Sequence, residues 1–384
     1  MPERSGRPAW AEVDLDAVRH NVAALVDVAD GAALCAVVKA DGYGHGAVPV
    51  ARAALEAGAS WLGVALASEG AVLRDTGIDA PILVLSEPSA PEWADLVALG
   101  LRATVHTEAG IEAASAAVTA AGRSEPLPVH LKVDTGMHRI GVAPGAALDR
   151  ARSLLARDTL ALEGVWTHCA VADEPGHPAT DRQLLRFEAV LADLRAAGID
   201  PPLVHAANSA ATIDHPALRY DLVRCGIAVY GLAPSPALAD RLPLRPALSL
   251  RAEVSHVQVV PAGDAVSYGL RRAVVVDTVV ATLPLGYADG VPRRLGDVGG
   301  EVLVGGRRCP LAGTVTMDQL MVDCGPVDDP LAPAVAAGDE AVLLGAQGEE
   351  QIDAWEWAER LDTIAYEVTC GISARVPRRH RGQR

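Results

Sequence analysis

The sequence predicts an α/β protein, with an N-terminal (β/α)8, TIM-like barrel over residues 1–243 and a mainly-β C-terminal domain over residues 244–384. Up to residue 230, short apolar runs rich in β-branched residues alternate with Ala- and Leu-rich stretches of helical spacing. That alternation is typical of parallel strands covered by helices, and eight such units fit a closed barrel. After Leu242, Val-rich runs separated by Gly/Pro turns indicate a second domain built mainly of strands.

Eight runs in the first domain have the composition of buried parallel strands. They are residues 34–39, 62–67, 82–86, 103–106, 129–134, 164–168, 203–208 and 223–230. The spacing of Ala and Leu between most of them predicts helices at residues 48–57, 92–99, 108–121, 146–156 and 182–197. An open, doubly wound sheet shows the same alternation, so the number of strands does not by itself decide between that sheet and the barrel.

The second domain is predicted from runs in which valine dominates. These runs are residues 248–260, 273–283, 301–304, 320–323 and 340–344, with turns at 261–264 and 304–307. Residues 353–361 have helical spacing and predict one helix within this domain.

Composition narrows the class of protein. The chain has 384 residues, enough for two domains with cores, and a net charge of −16, which argues against a nucleic-acid partner. No apolar run is long enough to span a membrane, and the N-terminal residues lack the apolar core of a secretory signal, so we expect a cytoplasmic protein without a membrane partner. Its six cysteines are scattered without a CxxC pair, which favours buried thiols in a reducing compartment and no metal site.

Residues 36–46, AVVKADGYGHG, combine a lysine at a strand end with a glycine-rich turn. An amine at a rigid strand end, beside a loop that can approach an anion closely, suits a cofactor held through an aldehyde. The plain structural alternative is a strand-end Lys39 that reaches solvent before an ordinary turn. Further lysine and histidine side chains, including Lys132, His106 and His168, lie at or near the ends of other predicted strands, where barrel enzymes carry their chemistry.

Seven motifs extend this pattern over nearly the whole chain. They are AVVKADGYGHG (36–46), LKVDTGMHRIG (131–141), HAANSAA (205–211), RCGIAVYG (224–231), LPLGYADGVPRRL (283–295), TVTMDQ (314–319) and TIAYEVTCGISARVPR (363–378). In this order they resemble the alanine racemase family, bacterial pyridoxal 5'-phosphate enzymes with a barrel and a C-terminal β domain. The resemblance implies an isomerase that interconverts L-alanine and D-alanine and supplies D-alanine for peptidoglycan.

The resemblance also implies a two-base mechanism. Lys39 would hold the cofactor and act as the base on one face of the substrate, and Tyr268 would be the base on the other face. A tyrosine needs nearby positive charge to act as a base near neutral pH, and Arg139 and His168 match the family positions that supply it. Arg224 matches the residue that binds the pyridine nitrogen, which it cannot protonate because arginine holds its own proton.

Further roles are carried over position by position. The cofactor-binding positions are Lys39, Tyr43, His168, Asn208, Ser209, Arg224, Gly226, Ile227 and Tyr366. The substrate carboxylate positions are Arg139 and the backbone amide of Met317, and Lys132 matches a lysine that is carbamylated in several relatives. The positions that line the access corridor are Asp173, Tyr287, Arg293 and Ile364. In the family, Tyr268 and Met317 come from the second subunit, so the resemblance implies a homodimer with composite active sites.

Taken one residue at a time, these assignments have plainer alternatives. Arg224 could pair with a surface acid such as Asp221, and Lys132 could be a free amine paired with Asp134 or another acid. Asn208 and Ser209 have the composition of an ordinary helix N-cap, Met317 that of core filling, and Tyr268 that of an aromatic residue before a turn.

Three other functions remain open at this point. A racemase adapted to serine or to several amino acids would share every motif. A basic amino-acid decarboxylase shares the architecture but uses an acid at the pyridine nitrogen, where this chain offers Arg224. A carrier of pyridoxal phosphate without catalytic activity would not need Tyr268, Met317 or Tyr366.

Overall fold

The structure is a computed structural model that describes residues 7–332 and 334–383. Residues 1–6 of the first predicted domain, and Pro333 and Arg384 of the second, lie outside the described residues. The described chain divides into two compact units. One unit comprises residues 17–245, and the other comprises the described residues up to Asp16 together with those from Pro246 onward.

The unit of residues 17–245 is built around eight parallel strands. The first described elements of the chain are strand β1 (Ala9–Asp14), which belongs to the other unit, and helix α1 (Leu15–Ala29). The eight strands follow as β2 (Ala33–Val37), β3 (Trp61–Val64), β4 (Ile82–Val84), β5 (Arg102–Val105), β6 (Leu127–Lys132), β7 (Leu160–Trp166), β8 (Leu203–His205) and β9 (Leu222–Cys225).

The strand order identifies a barrel. Hydrogen-bonded neighbours run β8-β7-β6-β5-β4-β3-β2-β9, and every pair in this series is parallel. The two end strands meet through backbone bonds from Asp221 N to Val204 O and from Arg224 N to Ala207 O, both 3.0 Å. In a doubly wound sheet the order of the strands reverses at a switch point. No such reversal of strand order occurs along this series. The predicted (β/α)8 barrel is therefore confirmed.

Helices connect the barrel strands. They are α2 (Lys39–Tyr43), α3 (Ala47–Glu56), α4 (Ala67–Asp75), α5 (Glu92–Ala98), α6 (Glu108–Ala120), α7 (Ala147–Leu155), α8 (Pro178–Ala196) and α9 (Ser209–Asp214). The α2 segment is a single turn with left-handed backbone rather than a regular helix. Side chains of the strands, such as Leu34, Leu62, Leu83 and Leu131, are fully or almost fully buried and form the apolar part of the core.

The second unit is mainly β, as predicted. Its remaining elements are β10 (Leu248–Glu253), β11 (His256–Val260), β12 (Ala265–Val266), β13 (Arg272–Ala273), β14 (Thr278–Leu283), β15 (Glu301–Val304), β16 (Arg307–Pro310), β17 (Leu320–Pro326), β18 (Glu340–Gln347), β19 (Glu350–Ile352), α10 (Ala354–Leu361), α11 (Ala365–Gly371) and β20 (Arg378–Arg381). One sheet has the order β16-β15-β18-β10-β1-β20, with β19 added to β18, and a second has the order β11-β14-β17. The predicted run 248–260 is two strands, because the chain leaves the first sheet after β10 and enters the second at β11.

Strand β1 belongs to this second unit, although the sequence analysis assigned residues 1–243 to the barrel domain. Ala11 of β1 pairs with Leu250 of β10 on one side, in an antiparallel ladder, and with Arg378 of β20 on the other, in a parallel one. Its sequence AWAEVD buries Ala9, Ala11 and Val13 completely. No helix in the described part of the chain has both the length and the apolar character that crossing a membrane requires.

Candidate active site

Lys39 stands at the head of a left-handed turn directly after β2. Ala40, Asp41 and Tyr43 all have φ of 51° or 52°, a conformation that costs side-chain-bearing residues energy. Two carboxylates hold the turn: Glu69 Oε1 accepts from Ala40 N at 2.6 Å, and Asp41 Oδ1 accepts from Ala47 N at 2.8 Å. Strain retained at one turn by surrounding bonds is typical of a functional site.

Glu69 is a positioning residue to which the sequence analysis gave no role. Its carboxylate accepts from the amides of Ala65 and Leu66 at 2.7 and 3.2 Å, besides that of Ala40. It therefore ties the turn that carries Lys39 to the end of the neighbouring strand β3.

Tyr43, Gly226 and Ser209 meet beyond this turn. A Cβ at Gly226 would lie 2.4 Å from Tyr43 Oη, so only glycine lets that hydroxyl approach the backbone here. Ser209 Oγ accepts from the amides of Gly226 and Ala228 at 2.9 and 3.4 Å, and Ile227 lies between those two residues. Two hydroxyls and a group of backbone amides around a glycine form a donor set that suits a phosphate.

Asn208 adjoins this group and has a capping role. Its side-chain oxygen accepts from Ala211 N at 3.0 Å at the start of α9. The capping alternative is thus confirmed for Asn208, whereas Ser209 directs its hydroxyl to the amides after β9.

Arg224 is buried among neutral acceptors. Its guanidinium donates to Thr167 O at 2.9 Å and Ala206 O at 3.0 Å, and it lies 2.9 Å from His205 Nδ1 and 3.3 Å from His168 Nδ1. Burial lowers the pKa of Arg224 to about 10, so the group stays charged near neutral pH. A charged donor without a carboxylate partner is suited to a ring nitrogen that must not be protonated.

The alternative in which Arg224 pairs with Asp221 is wrong. Asp221 Oδ2 instead accepts from Val204 N at 2.8 Å, and within the described residues no carboxylate lies within 4.0 Å of the Arg224 guanidinium.

The chain of polar contacts that starts at Arg224 continues through two histidines, His205 and His130. His205 Nε2 lies 2.8 Å from His130 Nδ1, and His130 Nε2 lies 3.0 Å from Glu163 Oε2. Burial lowers the pKa of both histidines, so both stay neutral at pH 7 and can accept as well as donate. Gly164 makes room for this pair, because a Cβ there would lie 2.5 Å from His130 Nδ1.

Lys132 and His168 experience the positive charges of the site. Burial, together with Arg224, Arg139 and Lys39, lowers the pKa of Lys132 from 10.5 to about 7. The same burial and charges hold the pKa of His168 well below its usual value of 6.5, so its imidazole is neutral and does not supply the positive charge that the resemblance assigns to this position. The barrel therefore brings together four basic side chains around one neutral histidine.

Trp166 is a site residue that sequence reasoning missed. Its ring faces two cations, with Lys132 Nζ 4.2 Å and the Arg224 guanidinium carbon 4.5 Å from the ring centroid. It also stacks on His205 at a centroid distance of 5.5 Å. The available signal was its place two residues before His168, near the end of the predicted strand 164–168.

In the β unit, Tyr268 lies on a strained turn. Ser267 and Leu270 have φ of 68° and 48°, and the Tyr268 side chain is 74% exposed. Thr314 Oγ1 donates to Tyr268 O at 3.0 Å, and Ser267 Oγ donates to Thr314 O at 2.6 Å. These bonds fix the Tyr268 turn to the segment that leads to Met317.

Met317 and Tyr287 are brought together on that same segment. Tyr287 N donates to Thr316 O at 2.9 Å, and Ala288 N donates to Met317 O at 3.0 Å. The backbones of Gly286 and Met317 approach so closely that a Cβ on Gly286 would lie 2.3 Å from Met317 O. The Met317 side chain is 52% exposed, so the structure does not use it to fill the core.

Asp289 anchors this pair and was also missed from sequence. Its buried carboxylate accepts from Gly286 N at 3.0 Å and from both terminal nitrogens of Arg7 at 2.7 and 2.6 Å. The nearby Arg375 adds a second cation, with its Nε 3.4 Å from Asp289 Oδ1. The only sequence signal was the turn composition YADG.

The remaining predicted positions are distributed over both units. Asp173 lies in the barrel unit, where its backbone oxygen accepts from Ser235 Oγ at 2.6 Å. Arg293 and Ile364 are exposed in the β unit, and Tyr366 lies in α11, half-buried. Within the described residues no group of three or more metal-ligating side chains converges.

Comparisons with known proteins match both units of the chain to the same family. The families described as "Alanine racemase, N-terminal domain" and "Alanine racemase, C-terminal domain" match residues 13–234 and 247–380. The chain is 51% identical to the alanine racemase of Symbiobacterium thermophilum, with 98% of each chain covered, and 43% identical to that of Nostoc sp., with 96% and 95% covered.

Solved structures show the same likeness. The alanine racemase from D-cycloserine-producing Streptomyces lavendulae superposes with a TM-score of 0.91 at 42% identity, covering 99% of this chain and 98% of that one. The enzyme from Streptomyces coelicolor A3(2) gives 0.91 at 43% identity, with 98% of each chain covered.

Proposed function

The chain belongs to the alanine racemase family and interconverts L- and D-alanine, and from that premise we propose that it uses pyridoxal 5'-phosphate with Lys39 and Tyr268 as its two bases. The observation that carries the proposal is the grouping of Lys39, Tyr43, Ser209, Arg224 and Gly226 around the carboxyl ends of the barrel strands. Each has a chemistry that one part of the cofactor requires.

The residues present fit the cofactor at both ends. The phosphate would be held by the hydroxyls of Tyr43 and Ser209 and by the amides that follow β9. Because Gly226 has no Cβ, the Tyr43 hydroxyl has room beside that backbone. Arg224 would donate to the pyridine nitrogen and leave it unprotonated, since its own partners are carbonyls and neutral histidines. Bound through its aldehyde to an amine, pyridoxal phosphate draws electrons from the α-carbon and makes the α-proton removable.

An arginine at this position has a chemical consequence. The cofactor would draw electrons more strongly if its ring nitrogen were protonated, which favours transamination. Arg224 would leave that nitrogen unprotonated and would so favour prompt return of the proton to the α-carbon. The decarboxylase alternative would need an acid at this position, and the buried side chain here is Arg224.

Lys39 would hold the cofactor at rest and serve as one base. The left-handed turn orients its backbone rigidly, while its side chain is half-buried and its Nζ lies 6.0 Å from the Tyr43 ring centroid. Once released by an incoming amino acid, the amine of Lys39 would remove or return the α-proton on one face of the substrate.

Tyr268 would be the base on the other face, and we propose that it reaches the site across a homodimer. Its side chain and those of Tyr287, Met317 and Ile364 are large and exposed on the β unit. Several large exposed aromatic and apolar side chains on one unit are typical of a surface that another chain covers. In this proposal, Tyr268 of the partner subunit and Met317 of the partner subunit complete each site, with the Met317 amide and Arg139 binding the substrate carboxylate.

We further propose that Lys132 is carbamylated. Only an unprotonated amine reacts with carbon dioxide, and a lysine with its pKa lowered to about 7 is substantially unprotonated at neutral pH. The product is an anion placed among Arg139, Arg224 and Lys39, so it would replace repulsion by attraction and orient Arg139.

Access to the site would be governed by Tyr287, Tyr366, Arg293, Ile364 and Asp173. Tyrosines at such an opening leave little space beyond the methyl group of alanine, and each added methylene lowers binding by about 1–3 kcal/mol. Specificity would therefore be graded. The narrow opening would favour alanine, tolerate serine poorly and exclude long side chains. The D-alanine produced would supply peptidoglycan synthesis in a bacterial cytoplasm.

Two measurements test the proposal. Borohydride reduction of the pyridoxal phosphate-loaded protein should fix the cofactor to the peptide that contains Lys39, as read by mass spectrometry. The loaded enzyme should also abolish the optical rotation of L-alanine. Fixation at another lysine would overturn the cofactor assignment, and unchanged rotation with cofactor bound would overturn the activity.

A further inference from the structure

Two cysteines of the β unit face each other across neighbouring strands. An antiparallel bridge pairs Leu311 with Val322 just beyond the ends of β16 and β17. Two residues outward along each strand, the same register places Cys309 opposite Cys324.

The type of pairing brings their side chains close. The bond from Ala312 N to Met321 O, 2.8 Å, shows that Leu311 and Val322 are a non-hydrogen-bonded pair. Pair types alternate along an antiparallel ladder, so a cysteine pair two positions away is of the same type. In such pairs the Cα atoms lie about 4.5 Å apart, a separation that a disulfide can span.

The two thiols already interact and differ in character. Their side chains hydrogen-bond to each other, and they are 4% and 2% exposed. The bond from Cys324 and the charge of Arg307 lower the pKa of Cys309, whereas the same contact and burial raise the pKa of Cys324. The directions of the two shifts favour Cys309 as the thiol that loses its proton first, the division of roles found in reactive dithiols.

A cavity gives this pair a route to small reagents. It has a volume of about 150 Å³ and is lined by both cysteines together with Arg307, Leu331, Val335 and Asp339. The space exceeds that of a few water molecules, so a molecule of the size of hydrogen peroxide fits beside the sulfur atoms.

We propose that Cys309 and Cys324 form a reversible dithiol–disulfide site, oxidised by hydrogen peroxide or another small peroxide that enters this cavity. The Cys309 thiolate attacks one peroxide oxygen, the O–O bond breaks, and the leaving hydroxide takes a proton to become water. The Cys324 sulfur then attacks the Cys309 sulfenic acid, forming the S–S bond, breaking the S–O bond and releasing a second water. The two thiols lose two electrons in total, and the peroxide gains them.

The cysteine pair lies at the base of the segment that carries Met317. Residues 311–319 run between the two strands and carry Met317, and Thr314 of the same segment donates to Tyr268 O. A disulfide between Cys309 and Cys324 closes the base of this segment into a covalent ring. Oxidation therefore restricts the backbone that presents Met317 while leaving the barrel residues untouched.

Peptide mapping of the pyridoxal phosphate-loaded enzyme tests the proposal without relying on activity. After peroxide treatment, digestion under non-reducing conditions should yield one peptide pair joined through Cys309 and Cys324, lighter by two hydrogens, and dithiothreitol should restore both thiols. The exposed Cys370 serves as the internal measure of peroxide dose. If doses that oxidise Cys370 leave Cys309 and Cys324 alkylatable after unfolding, the proposal is overturned.

A variant separates the two sulfur roles. In Cys324→Ser the reaction should stop at the Cys309 sulfenic acid, which dimedone traps, whereas Cys309→Ser should give no dimedone adduct at Cys324. Adduct formation at Cys324 instead, or a disulfide between Cys309 and a different cysteine, would contradict the assignment. The mapping of the unaltered enzyme decides the matter if either variant folds poorly.

Discussion

Lys132 Nζ lies 4.2 Å from the ring centroid of Trp166, in a pocket where no carboxylate of the described residues comes within 4.0 Å of it. The alternative of an ion pair with Asp134 is wrong, because the Asp134 carboxylate accepts from Gly136 and His138 instead. Lys132 is thus a buried amine held against an aromatic face, beside two arginines that disfavour its charge.

Carbamylation of Lys132 should therefore increase with pH. The amine reacts only when unprotonated, and its pKa is lowered to about 7, so occupancy should rise as pH passes upward through about 7 at constant dissolved carbon dioxide. Carbon-13-labelled bicarbonate and NMR measure the carbamate signal directly. Lys132→Met is the control, and a signal that persists in this variant would assign the carbamate elsewhere.

Gly226→Ala should weaken cofactor binding. The added Cβ would lie 2.4 Å from Tyr43 Oη, so the hydroxyl must move away from the phosphate position. We expect the Kd for pyridoxal phosphate to rise about tenfold or more, corresponding to ~1.4 kcal/mol. Gly145→Ala is the matched control, because its Cβ would meet no atom within 4 Å. Equal affinities of the two variants would remove Gly226 from the phosphate site.

Arg224→Glu should change the reaction as well as its rate. A carboxyl group at the pyridine nitrogen can share a proton with it and strengthen the electron sink. We expect racemisation to fall about a hundredfold, the loss typical of a removed electrostatic donor, while transamination to pyruvate increases relative to racemisation. The ratio of pyruvate to D-alanine measures this. Arg224→Lys, which keeps the charge, should not raise that ratio, and a raised ratio in it would refute the explanation.

Lys39→Ala and Tyr268→Phe should complement each other if the sites are shared between subunits. Each variant alone is expected to be inactive, because each lacks one base in every site. After subunit exchange, half of the dimers are mixed and carry one intact site, so about a quarter of the unaltered activity should return. Confirmed mixed dimers without activity would place both bases in one chain.

The barrel could be predicted because its signals are local. Each strand from β2 to β9 carries its own apolar run, and the order of the strands in the barrel repeats their order in the chain. Strand β1 could not be placed from sequence, because both of its partner strands lie more than two hundred residues further along the chain.

The candidate site residues were accessible from sequence, but their connections were not. The motifs contain Lys39 and Arg224, and the family resemblance adds Tyr268, whereas the left-handed backbone at Ala40 and Asp41 has no sequence signature, since neither residue type requires it. The alternative that paired Arg224 with Asp221 rested only on their proximity in sequence. An odd separation along an extended chain directs two side chains to opposite faces, so that pairing was disfavoured from the outset.

The placement of β1 has a consequence for the growing chain on the ribosome. Its nearest partner strand starts at Leu248, so β1 emerges and then waits while the whole barrel is synthesised, a delay of roughly 10–50 s at ordinary translation rates. An extended strand without a partner can pair with other chains and aggregate during that time. Glu12 and Asp14, the two acids in AWAEVD, place negative charge on this segment, and charges of this kind disfavour aggregation of a strand that has not yet paired.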